Sequence, residues 1–212
     1  MWASLDFSTY QFAESTAPYV DACAGGMSTT TASVSGIPLP FDVTVYNQNY
    51  GGATGPATTV NLGIDGQVTL GSVPLAFPGP PPSGGLPSAA APEPGIWVFW
   101  DDLEYGPEGR LCYQTVGTAP NRRFVAEWRG MDFVEAPDQG SNLDFEISLD
   151  EGTGEADLVY NTMVDAPGDT SRRAEGALAW VGVQNASGTA AVGQYKRQFL
   201  TSGTKASLLP KH

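Results

Sequence analysis

The chain has 212 residues with 26 Gly and 17 Pro, 41% hydrophobic and 10% aromatic residues, a composition typical of one all-β domain with many turns. Its formal net charge of −13 excludes a nucleic-acid partner, because no basic patch could displace counterions from phosphates, and it argues against binding to anionic membranes. No apolar stretch approaches the ~18 residues that a membrane span needs.

The first third of the chain contains short strand patterns joined by turns. Aromatic residues predict a strand at residues 5–12, and the proline-opened segment 37–45 alternates apolar and polar side chains. Residues 47–52 are predicted to form a turn. Two strands, at residues 58–64 and 67–70, are predicted to form a hairpin through a two-residue Asp-Gly turn.

Residues 77–95 are rich in Pro and Gly and therefore cannot complete a strand ladder. Because the aromatic strands on both sides need each other for burial, we interpret this stretch as a long loop inside a single domain that spans residues 1–212. A loop of this length is either functional or an inert insertion. The sequence leaves both interpretations open.

An aromatic strand at residues 96–100 is followed by predicted strands at residues 110–115 and 123–129. Short turns at residues 105–109 and 117–121 separate the three, so they predict an antiparallel meander. Three of the five Trp residues lie here, which indicates the core of the domain.

Two expectations about the core follow from this meander. Trp97 or Trp100 should form the centre of the core together with Phe124 and Trp128. Strand alternation divides residues 96–100 between two faces, with Trp97 and Phe99 on one and Ile96, Val98 and Trp100 on the other.

Residues 142–150 show the cleanest alternation in the chain. We expect one set to face the core (Leu143, Phe145, Ile147 and Leu149) and the other to face solvent (Asp144, Glu146, Ser148 and Asp150). Further strands are predicted at residues 156–160, 177–183, 197–200 and 206–209, with a polar loop at residues 163–174. No long segment has the 3.6-residue period of a helix. The predicted fold is therefore an all-β, antiparallel β-sandwich, jelly-roll-like, with little helix.

Cys23 and Cys112 are the only cysteines, and their spacing matches no metal motif. They either form a disulfide or remain two buried thiols. The extracellular character of the composition favours the disulfide, which we therefore predict.

Most catalytic chemistry can be excluded from the residue inventory. The only histidine is His212, the last residue, so a catalytic triad, a Cys–His dyad and a histidine-based metal site all lack their imidazole. No phosphate-binding loop is present. Asp144 and Glu146 lie two apart on one strand, which is compatible with a glycoside hydrolase pair, although any exposed strand face carries such pairs. We expect no enzymatic activity and keep the glycoside hydrolase as an alternative.

Asp101, Asp102 and Glu104 directly follow the aromatic strand. A turn at that position could gather two carboxylates and a carbonyl around Ca²⁺, which makes calcium the one cofactor that the sequence suggests. Alternatively, Asp101 or Asp102 accepts hydrogen bonds from turn amides or pairs with Arg122, Arg123 or Arg129. Both interpretations stay open.

Six motifs occur in order from about residue 10 to residue 209. They are Leu-Pro-Phe with an apolar strand (39–46), an Asp-Gly hairpin (64–71), Trp-Asp-Asp-Leu (100–103), Pro-Asn-Arg-Arg-Phe-Val-Ala-Glu-Trp (120–128), an alternating strand with its hairpin (144–160) and Val-Gly-Val-Gln-Asn (181–185). This order resembles bacterial surface domains related to the nidogen-type (NIDO-like) extracellular domain. The proline-rich insertion and the missing aromatic residue after Leu70 depart from the pattern. The resemblance implies an adhesive or matrix module that has no catalytic residues.

We therefore predict a non-enzymatic module that binds or adheres outside the cell or at its surface, with a protein or glycan ligand. No basic-then-apolar leader stands at the N-terminus, so we expect any secretion signal to have been removed. The alternative is a structural subunit that assembles through terminal or edge strands. The sequence does not specify an oligomeric state.

Overall fold

The structure is a computed structural model, described here for residues 10–46, 48–50, 59–71, 75, 81, 84–89, 94–135, 138–195 and 198–210. In these residues the regular elements are β-strands, and all the strand pairs are antiparallel. The prediction of an all-β antiparallel sandwich is confirmed. No helix in this part of the chain is long and apolar enough to cross a membrane.

Fifteen strands form three sheets. In chain order they are β1 (Tyr10–Glu14), β2 (Met27–Thr29), β3 (Ser33–Pro38), β4 (Val43–Val45), β5 (Gln48–Tyr50), β6 (Thr59–Gly63), β7 (Gln67–Leu70), β8 (Gly95–Trp100), β9 (Leu103–Val116), β10 (Arg123–Phe133), β11 (Asn142–Asp150), β12 (Ala156–Val164), β13 (Trp180–Gln184), β14 (Ala191–Tyr195) and β15 (Thr204–Pro210). The larger sheet has the order β1-β15-β12-β11-β10-β9-β2, and the smaller sheet has the order β14-β13-β8-β7-β6-β3. Strands β4 and β5 pair as a separate hairpin.

The predicted meander is correct for two of its three strands. β9 and β10 pair in the larger sheet, but β8 lies in the smaller sheet between β7 and β13. The chain changes sheets between Trp100 and Leu103. The predicted turn at residues 105–109 is also wrong, because β9 runs through it as one strand with a register shift opposite β10. Gly109 and Gly130 allow that irregularity, since a Cβ on Gly109 would lie 2.7 Å from the Gly130 carbonyl oxygen.

The main core lies between the two sheets and is centred on aromatic residues. Trp128 is fully buried and stacks on Phe145, with 5.2 Å between ring centroids. Phe99 lies 5.5 Å from Phe145, and Phe124 belongs to the same cluster. The Nε1–H of Trp128 donates to the carbonyl of Gly63 at 2.8 Å and so joins the larger sheet to the smaller. The predicted core positions of Phe124 and Trp128 are confirmed.

Trp97 and Trp100 lie in a second hydrophobic cluster rather than in the main core. They stack on each other at 5.7 Å, and Trp180 lies edge-on to Trp100 at 5.2 Å. The predicted division of β8 between two faces is correct for Ile96 and Val98, which share the main core. It is wrong for Phe99 and Trp100, because β8 carries one extra residue between the pairs Gly182–Trp97 and Trp180–Trp100. Such a bulge places the side chains of Trp97 and Trp100 on the same face of the sheet.

Part of the predicted loop at residues 77–95 covers this second cluster. Leu86 packs among the Trp side chains, and the backbone of Ser88 exchanges two hydrogen bonds with the side chain of Gln184, at 2.6 and 2.9 Å. Residues 76–80, 82–83 and 90–93 lie outside the described residues. The described part of the loop therefore packs on the face of the smaller sheet opposite the main core.

Several other predicted boundaries differ from the structure. Residues 48–50 of the predicted turn form strand β5, and residues 198–200 form no strand. The hairpin of β6 and β7 has Gly63 paired with Gln67, so its loop has three residues rather than two. Residues 1–9, 47, 51–52, 197 and 212 lie outside the described residues.

Candidate ligand-binding site

The predicted cation ligand Asp101 belongs to a buried ion-pair network. Its two carboxylate oxygens accept hydrogen bonds from Nη2 and Nε of Arg173, at 2.8 and 3.1 Å. Nη1 of Arg173 also donates to Asp138 at 3.1 Å, and its guanidinium lies 4.4 Å from the ring centroid of Phe133. Because the Arg173 side chain is only 4% exposed, this network is shielded from water.

The structure does not bring the three predicted cation ligands to one point. Asp102 is half-buried, and burial raises the pKa of its carboxyl group. Glu104 accepts a hydrogen bond from the side chain of Gln139 at 3.1 Å. Within the described ranges, no group of three or more His, Cys, Asp or Glu side chains is arranged to hold a metal ion. Calcium binding stays a prediction, and a melting temperature that is higher in Ca²⁺ than in EDTA would support it.

The alternative interpretation of these carboxylates is a hydrogen bond from a turn amide or an ion pair with an arginine. Asp101 makes both contacts, but its arginine partner is not one of the three that the sequence suggested. Asp101 does accept a hydrogen bond from a turn amide, that of Asp102 at 2.9 Å. Its arginine partner, however, is Arg173. The three arginines that the sequence suggested pair elsewhere: Arg122 with Glu151, Arg123 with Asp150 and Asp157, and Arg129 with Glu127 and Asp21.

The two members of the predicted carboxylate pair lie in different surroundings, because Asp144 is partly exposed and Glu146 is buried. Asp144 accepts a hydrogen bond from the backbone N–H of Gly130 at 2.7 Å, at the irregularity in β10. Glu146 is only 1% exposed, and Ser148 is buried beside it. The expectation that this face of β11 is solvated is therefore wrong for these two residues, because residues 17–26 lie over it. We call residues 17–26 the strap.

Glu127 and a disulfide hold the strap in place. Oε2 of Glu127 accepts from the backbone N–H of Cys23 at 3.1 Å, and Oε1 accepts from the hydroxyl of Tyr19 and from Nε of Arg129. Arg129 also donates to Asp21 on the strap. Cys23 is bonded to Cys112 of β9, with 5.2 Å between Cα atoms, which confirms the predicted disulfide.

Glu146 lies directly opposite Glu127 on the neighbouring strand, beneath the same strap. The hydrogen bonds to its two oxygens come from one group, the backbone N–H of Val20, at 3.0 and 3.2 Å. Burial raises the pKa of Glu146 to about 8, and the negative charge of Glu127 adds to that increase. At neutral pH the Glu146 carboxyl group is therefore mainly protonated. With 0% and 1% of Glu127 and Glu146 exposed, neither carboxyl group is accessible to a sugar in this arrangement.

An open groove lies where the two sheets end on the same side of the sandwich. β2 is the last strand of the larger sheet and β3 is the last strand of the smaller, and each is paired on one side only among the described residues. The space between them has a volume of about 540 Å³. We call this space the seam groove, and the described residues that line it are Gly25, Gly26, Met27, Val34, Ser35, Gly36, Ile37, Pro38, Tyr113, Gln114, Thr115 and Phe124.

The chemistry of the seam groove favours an uncharged segment of a ligand. The described residues that line it include no Asp, Glu, Lys or Arg, although the chain as a whole carries a net charge of −13. Buried Ile37 and Phe124 are part of the main core, whereas Met27 is 64% exposed. A ligand side chain placed between them could therefore exchange water for contact with the core.

The seam groove has no clear signature in the sequence. Its walls come from segments more than 70 positions apart in the chain, and they meet because β2 pairs with β9. The only local signal is the Gly25-Gly26 pair before a short strand. A Cβ on Gly26 would lie 2.4 Å from the carbonyl oxygen of Tyr113, so the close approach of these two segments requires a glycine.

Comparison with known proteins gives a single type of match. A protein-family model described as NIDO related matches residues 9–208. No curated protein and no solved structure matches the chain. The matched range includes the strap, the seam groove and both sheets except the last two residues of β15.

Proposed function

Because this chain belongs to the family of NIDO-related domains, an extracellular type of module, we propose that it is a non-enzymatic binding module. Its disulfide is consistent with an oxidising, extracellular location. The ligand in this proposal is an extended segment of another protein, bound in the seam groove. The observation that carries the proposal is the open apolar groove between two strands that each end a sheet.

The dimensions and the edges of the groove support a polypeptide ligand. Pockets that bind ligands usually have volumes of about 300–1,000 Å³ and largely apolar walls, and the seam groove has about 540 Å³. Strands that end a sheet present backbone N–H and C=O groups to which an extended peptide can add. The main chain of the ligand would then bind to β2 or β3, and its side chains would fill the space above Ile37 and Phe124.

The net negative charge of the chain favours a ligand that is neutral or basic. The net charge of −13 repels acidic partners at long range and attracts basic ones. The uncharged lining of the groove does not itself require a charged ligand residue. We therefore propose an apolar extended segment within a neutral or basic protein.

A peptide display library selected on the purified protein tests this proposal. Met27→Glu introduces a charge at an exposed groove position, whereas Leu178→Glu introduces the same charge at a residue that is 41% exposed outside the groove. We expect selected peptides to lose at least about tenfold in affinity for Met27→Glu, which corresponds to about 1.4 kcal/mol. We expect little change for Leu178→Glu. Equal binding to both variants, or binding to a glycan array without any peptide ligand, would overturn the proposal.

The non-enzymatic part of the proposal has its own test. Asp144 and Glu146 are the carboxylate pair that the sequence suggests for a glycoside hydrolase, and the strap covers Glu146. We expect no hydrolysis on a panel of polysaccharides. Hydrolysis that the Glu146→Gln variant abolishes would show that the protein is an enzyme.

A further inference from the structure

The strap leads directly into the wall of the seam groove. Its last two residues, Gly25 and Gly26, line the groove, and Met27 follows as the first residue of β2. The side chain of Gln114 lines the groove as well and donates a hydrogen bond to the backbone carbonyl of Asp21 on the strap, at 3.1 Å. The backbone N–H of Gly26 donates to Ala22 at 3.0 Å. The position of this wall therefore depends on how the strap is seated.

The carboxyl groups of Glu127 and Glu146 are adjacent beneath the strap, and the negative charge of Glu127 disfavours ionisation of Glu146. Glu127 is ion-paired with Arg129, whereas in the described part of the chain the hydrogen bonds to Glu146 come from the N–H of Val20. Two buried carboxyl groups that face each other across neighbouring strands cannot both ionise without a large electrostatic cost. A proton on Glu146 removes this cost and therefore favours the seated strap.

We propose that the strap is a proton-dependent latch on the seam groove, seated when Glu146 is protonated and released when Glu146 ionises beside Glu127. Release frees the segment around Val20 and, through the contact of Asp21 with Gln114, shifts Gly25 and Gly26 in the wall of the groove, while the Cys23–Cys112 disulfide keeps the strap attached to β9. The proposal rests on the proposed function and deepens it, because it makes ligand binding in that groove depend on pH.

Among the described residues, no Lys or Arg side chain forms an ion pair with Glu146. From the elements packed against it, the titratable groups are Glu127, Arg123 and Arg129 of β10, Lys205 of β15, Asp157 of β12, and Tyr19 and Asp21 of the strap. Arg123 is held by Asp150 and Asp157, and Arg129 is held by Glu127 and Asp21. Lys205, Arg123 and the Val20 N–H lower the pKa of Glu146, but burial outweighs them and the pKa reaches about 8. The strap is therefore seated below this pH and released above it.

Methionine methyl NMR tests the latch without any ligand. Met27 lies on the wall of the groove, and fully buried Met131 in the main core is an internal control. With ¹³C-methyl methionine, we expect the Met27 signal to shift with a midpoint near pH 8, while the Met131 signal stays constant. Glu146→Gln keeps the shape of the protonated side chain and should abolish the shift. Glu108→Gln, at an exposed carboxylate, should leave it unchanged.

Peptides selected for the groove separate this proposal from the proposed function. Affinity should fall about tenfold or more between pH 6.5 and pH 9.5, because the binding-competent fraction falls as Glu146 ionises, and Glu146→Gln should remove that dependence. Peptides that bind equally at both pH values would overturn the latch and leave the proposed function intact. A Met27 signal that titrates in a protein that binds no peptide would support the latch and overturn the proposed function. A Met27 signal that is constant across the range, or that titrates equally in Glu146→Gln, would overturn the latch.

Discussion

At the scale of single residues, Arg173 is the partner of Asp101, the first carboxylate of the acidic cluster that follows β8. It holds both oxygens of Asp101 and one oxygen of Asp138, and it covers the ring of Phe133. Such a network is costly to break from one side, because the remaining charges stay buried without a partner. The cluster therefore depends on a residue that lies 72 positions further along the chain.

Replacing Arg173 should destabilise the protein far more than replacing its neighbour. Arg173→Met leaves Asp101 and Asp138 buried and unpaired, and we expect a loss of about 3–5 kcal/mol in the free energy of unfolding. Arg172→Met changes a side chain that is 54% exposed and should cost less than about 1 kcal/mol. Denaturant titration of both variants measures the difference. Similar midpoints for the two variants would contradict the assigned role of Arg173.

Trp128 contributes both packing and a hydrogen bond between the sheets. Trp128→Ala should lower the free energy of unfolding by about 3–5 kcal/mol, since it removes the stack on Phe145 and leaves a cavity. Trp128→Phe keeps most of the ring but removes this hydrogen bond, and because the Gly63 carbonyl still accepts from the N–H of Gly66 at 3.2 Å, we expect a cost of about 0.5–1.5 kcal/mol. Leu178→Ala, at an exposed residue, is the control in thermal and denaturant melts. A Trp128→Ala protein that melts within a few degrees of wild type would contradict this account.

At the scale of elements, the strap covers part of one face of the larger sheet and excludes water from it. It is not a strand, yet Glu127 and Glu146 accept its backbone N–H groups as a neighbouring strand would. Ala22, Cys112 and Val125 form a small apolar cluster around the disulfide, with Val20 and Cys23 packed against it. The strap is therefore held by a covalent bond, by two buried carboxyl groups and by local packing.

The stability of the protein should depend on Glu146 in a defined pH range. Its folded-state pKa of about 8 lies above the ordinary value of 4.5, so its contribution to stability is full below pH 4.5 and is lost as the pH rises through 8. Each pKa unit corresponds to about 1.4 kcal/mol, so Glu146→Gln should raise the free energy of unfolding by at least about 2 kcal/mol at pH 9 and by little at pH 5. Urea titrations at both pH values, with Glu108→Gln as the control, test this. A Glu146→Gln variant that is no more stable than wild type at pH 9 would contradict it.

At the scale of the whole molecule, charge and sheet edges distinguish a binding module from a structural subunit. Both functions would use strands that end a sheet, and β2 and β3 are such strands. A net charge of −13 makes copies of the chain repel one another, while a neutral or basic partner is not repelled. The same edges therefore favour a different protein over a second copy of this chain.

We expect the protein to be monomeric, with a mass of 22.2 kDa, in light scattering after size-exclusion chromatography. Raising the salt concentration screens the repulsion and provides the control, because a charge-limited association would then become visible. Oligomers that form at low salt and grow with protein concentration would favour the structural subunit instead.

The sequence by itself determined the fold class, many of the strands and part of the local chemistry. The alternation in β11 predicted which side chains face the core, because a half-buried strand must place its apolar residues on one face. The two cysteines predicted their own disulfide, and the order of motifs predicted the family. These features depend on neighbouring residues, on residue counts or on motif order, all of which can be taken from one chain.

Only the tertiary structure decided which strands are neighbours and what covers each face. The period of two in β11 shows that Glu146 faces away from the core, but whether that side meets water or the strap depends on a segment more than 100 positions earlier. The same limit applies to β8, which local turns assigned to the wrong sheet, and to Asp101, whose partner is Arg173. The seam groove exists because two sheets end on the same side of the sandwich. Alternation reports the polarity of a face, whereas pairing and coverage depend on the balance of burial and charge over the whole folded chain.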